Sequence, residues 1–404
     1  MYRAYQAQAN LIAPLRGAAV LANAALSLGP PWLKTLPSVS RLSAAWTMTS
    51  RAGLTHHRPD YGLTTIRSGG RQVRIEEELV ASTPFGNLVR FKKDRDLDQP
   101  KVLLVAPLSG HFATLLRGTV EVLLQDMDVY ITDWRNARDA PLSAGAFGFD
   151  DYVAHVIQFL EVMGPGSHLV SVCQPCAHAL AAVALMAEDD NPATPLTMTL
   201  MAGPVDTRIN PTAVNELATS RSITWFEDEL IAMVPTGFAG AGRKVYPGFV
   251  QLTAFMMMNL NRHVDAHVDM FTHLAVGRQE EAAVSQAFYD EYFAVLDLTA
   301  EFYLDTVARV FQQHLLPKGE LFVKGRRVNP AAIRKTALLT VEGERDDICS
   351  VGQTVAAHDL CPSIYANRKQ HHLQPGVGHY GVFSGRKWAN QIYPLARNMI
   401  LAAN

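Results

Sequence analysis

Residues 168–187, with the sequence HLVSVCQPCAHALAAVALMA, are the stretch that decides the fold. It begins with a short apolar run at 169–172, breaks at Cys173-Gln174-Pro175, and continues with alanine, leucine, valine and methionine at helical spacing. This pattern predicts a buried strand that turns sharply into a helix, with a cysteine at the turn. A thiol at the N-terminus of a helix is well placed to be a nucleophile, because the helix dipole favours its ionised form.

The composition restricts the classes of protein to which the chain can belong. Its 404 residues are 48% apolar and 18% charged, which is typical of a globular chain with one large core. A net charge of −2 gives no reason to expect a nucleic-acid partner, and it leaves a homo-oligomer open. The unbroken apolar runs are shorter than the roughly 18 residues of a membrane span, so we predict no transmembrane segment. Four cysteines are too few for a disulfide framework and favour a reducing compartment.

The first 60 residues allow two interpretations. Residues 17–28 are apolar and end near small residues, as a signal peptide does. The stretch ahead of them is long and polar, and we expect Pro14 to interrupt it, so we favour amphipathic helices. We predict two helical pieces that separate at residues 29–31 and either pack on the body of the protein or contact a hydrophobic surface.

Strand and helix patterns alternate over much of the chain. Alternating apolar and polar residues predict antiparallel strands at 63–67, 72–79 and 87–92. Short apolar runs predict the strands of a mainly parallel sheet at 102–106, 128–132, 169–172, 196–201 and 337–341. The alternation of strands and helices predicts a further strand near 371–373. Helices are expected between these strands, among them one at 152–163 with Asp150 as its N-cap, and a final one at 387–401.

Residues 205–330 break this alternation with helical patterns rich in methionine and aromatic residues. We therefore predict an N-terminal helical segment at 1–60, an α/β core at 61–204 and 331–404, and a helical cap inserted at 205–330. Most aromatic side chains of the cap should fill its own core. A minority would line an apolar substrate channel, and Trp225 and Phe226 are candidates for that role.

Three kinds of reactive group follow predicted strands in an informative order. Cys173 follows the strand at 169–172, Asp346 and Asp347 follow the strand at 337–341, and His379 follows the last strand. Nucleophile, acid and histidine occur in this order in the α/β-hydrolase fold, which we predict for the chain. The histidine would move protons and the carboxylate would orient it. We prefer Asp346 to Asp347 because it stands in the spacing G-x-x-D-x-I with Gly343 and Ile348.

An ester-cleaving site also needs donors for the oxyanion. We expect one from the backbone N–H of Gln174, after the nucleophile, and another from Leu108 or Ser109 in the loop after the strand at 102–106. His111 in the same loop is expected to be exposed to solvent. Pro175 should lie in the first turn of the helix, where its missing N–H is not needed.

The spacing Cys173-Gln174-Pro175-Cys176 also matches a redox motif. That interpretation would leave the later aspartate and histidine unexplained. Cys176 and His178 could suggest zinc, but no second pair of ligands has the right spacing, so we predict no metal. Cys176, Cys349 and Cys361 are expected to be passive thiols, and His178 a structural histidine.

Several motifs together resemble the intracellular poly(3-hydroxybutyrate) depolymerases. They are SVCQP at 171–175, VEGERDDI at 341–348 with GQT at 352–354, and GVGHYGVF at 376–383. The stretches APLSGHFATLLRGTV at 106–120 and DVYITDWRNARDAP at 128–141 are also similar to that family. The resemblance extends from about residue 60 to the C-terminus.

The resemblance implies an enzyme that hydrolyses poly(3-hydroxybutyrate) without a cofactor, on storage granules in the cytoplasm, and releases oligomers or monomers. Cys173 would be the nucleophile, and Asp346 and His379 the matching acid and base. Cys176 departs from the family pattern, where an apolar residue is expected, and adds an oxidative liability. Two alternatives stay open, a polyhydroxyalkanoate synthase-like acyltransferase and a non-catalytic protein associated with granules.

Overall fold

The computed structural model of the protein describes residues 1–30, 32, 36–258 and 260–404. Its strands are β1 (Thr65–Ser68), β2 (Arg71–Ser82), β3 (Gly86–Lys93), β4 (Lys101–Val105), β5 (Asp128–Trp134), β6 (Ser167–Val172), β7 (Thr197–Met201), β8 (Ala232–Met233), β9 (Lys244–Tyr246), β10 (Leu298–Thr299), β11 (Phe322–Val323), β12 (Arg326–Arg327), β13 (Ala337–Gly343) and β14 (Lys369–Gln374). Its α-helices are α1 (Tyr2–Leu28), α2 (Pro37–Arg51), α3 (Arg117–Leu123), α4 (Phe149–Met163), α5 (Cys176–Glu188), α6 (Ala213–Ser220), α7 (Ile223–Leu230), α8 (Gly248–Met258), α9 (Leu260–Ala275), α10 (Gln279–Tyr292), α11 (Ala300–Thr306), α12 (Ala357–Leu360), α13 (Gly385–Lys387) and α14 (Tyr393–Ala403).

Nine of these strands form one twisted sheet in the order β1-β2-β3-β5-β4-β6-β7-β13-β14. The strands from β1 to β5 pair antiparallel along this order, and those from β5 to β14 pair parallel. The central strands β6 and β7 are buried along their whole length, and β4 between β5 and β6 is buried from Val102 to Val105, which explains its apolar sequence. A mainly parallel sheet with this strand order, and with helices in the crossovers, confirms the predicted α/β-hydrolase fold.

Residues 205–330, predicted to be an inserted helical cap, combine helices with two small sheets in the part that the structure describes. Helices α6 to α11 lie in this segment, together with the short strands β8 to β12. Strands β8, β9 and β10 pair in the order β10-β9-β8, and β11 pairs with β12. Sequence periodicity could not reveal strands of two or three residues. A β-bridge between His111 and Val295 joins this segment to the loop after β4.

Two local predictions are corrected by the structure. Helix α4 begins after Gly148, whose N–H donates to the Asp151 carboxylate, so Asp150 is not the N-cap. Asp150 lies within the first turn of the helix, and its carboxylate accepts hydrogen bonds from Arg309 and from the backbone N–H of Lys324. Helix α1 runs without interruption through Pro14, because loss of one N–H does not end a helix of this length.

Helix α1 also changes the prediction about membrane segments. By length and composition alone its 27 residues could cross a membrane, a criterion that signal sequences and core helices also meet. Both of its halves are tied to the rest of the protein. The Tyr2 hydroxyl donates to Asp297 at 2.7 Å, and the Asn23 amide donates to Thr47 of α2 at 2.9 Å. The helix therefore lies along the body, and most of its surface is exposed. It ends at Leu28, before the predicted break at 29–31, of which Pro31 lies outside the described residues.

Candidate active site

The turn between β6 and α5 brings Cys173 to the carboxyl edge of the sheet. Cys173 has a φ of +65°, in the left-handed region, and its N–H donates to the carbonyl of Met201 in β7 at 2.8 Å. Gly203 packs directly behind this turn. A Cβ at that position would lie 2.1 Å from the Cys176 sulfur and 2.8 Å from the Cys173 carbonyl oxygen, so only glycine fits there. Neighbouring strands thus hold the strained conformation of the turn.

Pro175 was predicted in the first turn of the helix, and the structure places it just before that turn. It is the N-cap of α5, one residue ahead of the first helical turn, and its carbonyl accepts the N–H of Ala179 at 2.8 Å. Since it has no N–H to satisfy, proline suits this position. Its ring fixes φ and thereby restrains the backbone next to Gln174.

Three side chains from distant parts of the chain meet at this turn. The His379 Nε2 atom lies 3.0 Å from the Cys173 sulfur, and the His379 Nδ1 atom lies 2.8 Å from Asp346 Oδ2. The second Asp346 oxygen accepts the N–H groups of Ile348 and Cys349 at 2.9 Å each. Asp347 is exposed, and the carboxylate that contacts Nδ1 of this histidine is that of Asp346. The structure therefore brings together the predicted nucleophile, base and preferred acid.

The electrostatic environment of His379 favours its protonated form. Burial alone would lower the pKa of His379, but the negative charges of Cys173 and Asp346 raise that pKa well above its usual range. With Asp346 as the acceptor, the Nδ1 atom carries a proton, so Nε2 exchanges the other proton with the sulfur. This arrangement supports a thiolate–imidazolium pair.

The other three cysteines, all within the described residues, are buried and differ from Cys173 in their surroundings. Burial raises the pKa of Cys176 to about 12 and that of Cys361 to about 12, and it raises the pKa of Cys349 well above the usual range. These thiols stay protonated at neutral pH. Cys173 is partly exposed, so among the four it is the thiol that a substrate can reach.

The loop after β4 lies against the turn. Its first carbonyl, of Ala106, accepts hydrogen bonds from Trp134 Nε1 and from the Tyr152 hydroxyl, both at 2.8 Å. The Leu108 N–H points at the turn and donates to the side-chain oxygen of Gln174 at 3.2 Å. In the part of the chain that the structure describes, the N–H groups of Gln174 and Ser109 have no hydrogen-bond acceptor. Of the two candidate donors in this loop, Leu108 is the one that contacts the turn.

The aromatic candidates for substrate binding have other contacts. Phe226 is buried, and it packs with Trp225 and Tyr303 in a cluster of α7 and α11 that contains no triad residue. The prediction that they face the cysteine therefore has no support from their contacts. The residue that joins the site to the cap is Tyr380, next to His379, which packs against a cluster that includes Tyr292. That role follows from packing and has no signal in the sequence.

Two histidines near the turn are buried and pack against aromatic rings, so their contacts are structural. His111, expected to be exposed, is buried between Tyr292 and Phe255, and burial lowers its pKa to about 4. The β-bridge between this loop and the cap segment covers it. His178 is buried against Phe149, and burial lowers its pKa to about 3, so both rings are neutral.

A buried network behind the turn was missed from the sequence. The Glu342 carboxylate in β13 accepts the N–H groups of Gly352, Thr354 and Val355 at 2.7 to 2.9 Å. The Thr354 hydroxyl then accepts the N–H of Gly203 and donates to its carbonyl, both at 2.9 Å. This network fixes the residue that supports the nucleophile turn. In the sequence, the motif GQT at 352–354 marked one part of this network, since Gly352 and Thr354 belong to it.

No group of three or more potential metal-ligating side chains occurs within the described residues. Cys176 and His178, the pair considered for zinc, do not contact each other through their side chains. The Cys176 sulfur contacts the carbonyl oxygens of Ser171 and Met201, and His178 Nδ1 contacts the Gln174 amide.

The chain is similar to known proteins at two levels. It resembles the solved structure of an epoxide hydrolase of Bacillus megaterium, with 12% identity and a TM-score of 0.45 over 83% of this chain and 99% of that chain. It also resembles 2-hydroxy-6-oxo-6-phenylhexa-2,4-dienoate hydrolase of Rhodococcus sp. strain RHA1, with 12% identity and a TM-score of 0.42 over 82% of this chain and 99% of that chain. A thermophilic esterase of Thermogutta terrifontis is similar with 13% identity and a TM-score of 0.40 over 83% of this chain and 97% of that chain. The strand order, rather than these low similarities, establishes the fold. A comparison with curated protein sequences gives no match.

The second level is a family match. The model of the family described as PHB de-polymerase C-terminus matches residues 202–404, which are half of the chain and include both Asp346 and His379. The resemblance found in the sequence motifs is thereby confirmed over this half. The chain belongs to the poly(3-hydroxybutyrate) (PHB) depolymerase family and is a hydrolase that acts on carboxylic ester bonds.

Proposed function

We propose that this protein cleaves poly(3-hydroxybutyrate) through a thioester formed on Cys173, with His379 as the acid and base and Asp346 as the residue that orients His379. The observation that carries the proposal is the unbroken chain of contacts from the Cys173 sulfur through His379 to Asp346, with distances of 3.0 and 2.8 Å. Family membership supports the polyester as the substrate.

Acylation begins when the Cys173 thiolate attacks an ester carbonyl carbon, so that a C–S bond forms and the carbonyl electrons move to oxygen. The N–H groups of Gln174 and Leu108 stabilise this oxyanion. The tetrahedral species then collapses, the ester C–O bond breaks, and the leaving alkoxide takes the proton from His379 Nε2. The hydroxyl end of the polymer departs, and the acyl end stays on Cys173 as a thioester.

Deacylation uses the same groups in reverse. Neutral His379 removes a proton from a water molecule, and the resulting hydroxide attacks the thioester carbonyl. The thiolate leaves, the 3-hydroxyacyl carboxylic acid is released, and His379 is protonated again beside Cys173. The carboxylate of Asp346 stabilises each imidazolium state. The net reaction consumes one ester and one water and gives one alcohol and one acid, with no cofactor.

We further propose that helix α1 contacts the surface of the polymer granule in the cytoplasm. Leu11 and Leu21 on this helix are 80% and 73% exposed, and the helix carries two charged residues, Arg3 and Arg16. An exposed apolar face of this kind is unfavourable in water and favourable on a hydrophobic polyester. Because Tyr2 and Asn23 tie the helix to the body, the face stays next to the catalytic domain.

One experiment tests the reaction. Purified protein is incubated with amorphous polymer particles, and separately with 3-hydroxybutyryl-CoA, while the release of acid and the formation of polymer are measured. We expect acid from the particles and no polymer from the thioester. Polymer formation would favour the synthase-like alternative, and the absence of both activities in a folded protein would favour the non-catalytic one.

A second experiment tests the surface. We expect Leu11→Asp and Leu21→Asp to weaken adsorption to polymer particles while a soluble short-chain ester is hydrolysed as before. Leu79→Asp, at an exposed leucine on β2, is the control and should adsorb normally. Unchanged adsorption of both α1 variants would show that this face is not the contact.

A further inference from the structure

The side chain of Gln174 accepts a hydrogen bond from one of the two backbone N–H groups proposed to bind the oxyanion. Its carboxamide oxygen accepts the Leu108 N–H at 3.2 Å, where the carbonyl oxygen of a substrate would have to bind. We infer that the Gln174 carboxamide is a built-in ligand of the oxyanion site, which leaves the Leu108 N–H when the reacting carbonyl oxygen arrives. The inference rests on the proposed function, since it assigns a role to a side chain within that same site.

The orientation of the carboxamide is fixed by its other end. The Gln174 Nε2 atom lies 3.4 Å from Nδ1 of His178. Burial lowers the pKa of His178 to about 3, so this ring is neutral, and in the tautomer with its hydrogen on Nε2 the Nδ1 atom accepts the amide hydrogen. Phe149 stacks on the ring at 3.9 Å and Tyr152 packs beside it, which leaves the imidazole little freedom to move. The amide nitrogen therefore faces His178, and the oxygen faces Leu108.

The Leu108 loop keeps its position without Gln174. Ahead of Leu108, the Ala106 carbonyl accepts hydrogen bonds from Trp134 and Tyr152. The Ala106 N–H donates to the Thr132 hydroxyl at 2.9 Å. Beyond Leu108, the Gly110 carbonyl accepts the N–H of Leu296 at 3.0 Å. Because both flanks of the loop are anchored elsewhere, the Leu108 N–H should remain aimed at the site after the carboxamide has left.

The exchange of ligands favours the transition state. Leu108 is buried, so its N–H would be unfavourable without an acceptor, and Gln174 supplies one while the site is empty. A ground-state ester carbonyl and the carboxamide oxygen are both neutral acceptors, so replacing one by the other gains little. The oxyanion carries charge and forms a stronger hydrogen bond than either. Displacement of Gln174 is therefore driven mainly by the oxyanion, which is differential binding of the transition state.

Reversible aldehyde inhibitors provide the test, because the Cys173 thiolate adds to an aldehyde and leaves its oxygen in the oxyanion site. Gln174→Met keeps the length of the side chain but removes its acceptor. We expect this variant to bind a short aliphatic aldehyde about five-fold more tightly, since one competing neutral hydrogen bond is lost. Gln174→Glu places a charged acceptor on the Leu108 N–H and should bind the aldehyde more weakly than the wild type.

The two variants separate this role from a merely structural one. A side chain that only supports the turn would give weaker aldehyde binding in both, and a methionine variant that binds no more tightly than the wild type would overturn the inference. The rate at which Cys173 reacts with methyl methanethiosulfonate, which has no carbonyl group, reports separately on the thiolate. If Cys173 did not react with the aldehyde at all, the proposed function itself would fail.

A measurement on the wild type does not depend on the folding of any variant. In a crystal structure of the aldehyde adduct, the adduct oxygen should lie within hydrogen-bond distance of the Leu108 nitrogen, with the Gln174 carboxamide moved away. An adduct in which Gln174 still accepts the Leu108 N–H would overturn the inference.

Discussion

Replacement of Asp346 by asparagine is the substitution whose effect the structure defines most closely. Asp346 accepts three hydrogen bonds, two from the backbone N–H groups of Ile348 and Cys349 and one from His379. In Asp346→Asn the amide oxygen can still accept the two backbone groups. The amide nitrogen then faces His379 Nδ1 and donates to it. The histidine is held in the other tautomer, with a hydrogen on Nε2, so in its neutral form it cannot accept a proton from Cys173 or from water.

The size of the effect follows from the lost interaction. A buried, charge-assisted hydrogen bond of 2.8 Å disappears, together with the negative charge that stabilises the imidazolium. We expect an increase in activation free energy of about 3 to 5 kcal/mol, or roughly 10²- to 10⁴-fold in kcat/KM. Since the Asp346 charge is one of the interactions that raise the pKa of His379, that pKa should be lower in the variant. The protonated histidine, and with it the thiolate–imidazolium pair, should then be lost at a lower pH.

The assay is hydrolysis of a soluble 3-hydroxybutyrate oligomer from acid to alkaline pH. Asp347→Asn is the matched control, because the neighbouring aspartate is exposed and the hydrogen bond to His379 Nδ1 is made by Asp346. We expect the control to keep its activity and its pH profile. The reasoning would be refuted if Asp347→Asn lost as much activity as Asp346→Asn, or if the alkaline limb of the Asp346→Asn profile moved to higher pH.

Two further predictions concern residues around the turn. Thr354→Val removes the hydroxyl that pairs with the buried Gly203 and should lower the free energy of unfolding by about 1 to 3 kcal/mol, whereas Thr354→Ser keeps the hydroxyl and should lose less. Urea unfolding of both variants measures this, and equal losses would contradict it. Cys176→Ala should retain hydrolytic activity and lose about 1 kcal/mol of stability, since Cys176 is a protonated, buried thiol. An inactive but folded Cys176→Ala would show that this second thiol takes part in the reaction.

The sequence predicted the sheet and the order of the reactive groups because both depend on strong local signals. A strand such as β4 is buried on both faces from Val102 to Val105, so it appears in the sequence as an apolar run. Cys173 directly follows β6 and His379 lies in the loop after the edge strand β14, and the topology of a parallel sheet brings both to one edge. The choice of Asp346 over Asp347 came from spacing alone, and in the structure Asp346 is the one in contact with His379.

The features that the sequence did not reveal depend on contacts between distant residues. Glu342 is a charged residue in the middle of a buried strand, and its role is visible only when the N–H groups of the turn at 352–355 are placed around it. The Gln174 side chain contacts Leu108, which lies in a different loop 66 residues away in the sequence, so no local pattern reveals the contact. Trp225 and Phe226 were chosen by residue type, and aromatic residues of a cap serve its own core more often than a substrate.

Formation of a covalent acyl-enzyme on Cys173 is the central claim, and trapping that intermediate tests it most directly. The protein is mixed with a soluble 3-hydroxybutyrate oligomer, quenched in acid within the first turnovers, digested and examined by mass spectrometry. We predict that the peptide containing Cys173 carries a 3-hydroxyacyl group that is released by hydroxylamine, as a thioester is. An acyl group on another residue, or turnover by a Cys173→Ala variant at the rate of the wild type, would contradict the account.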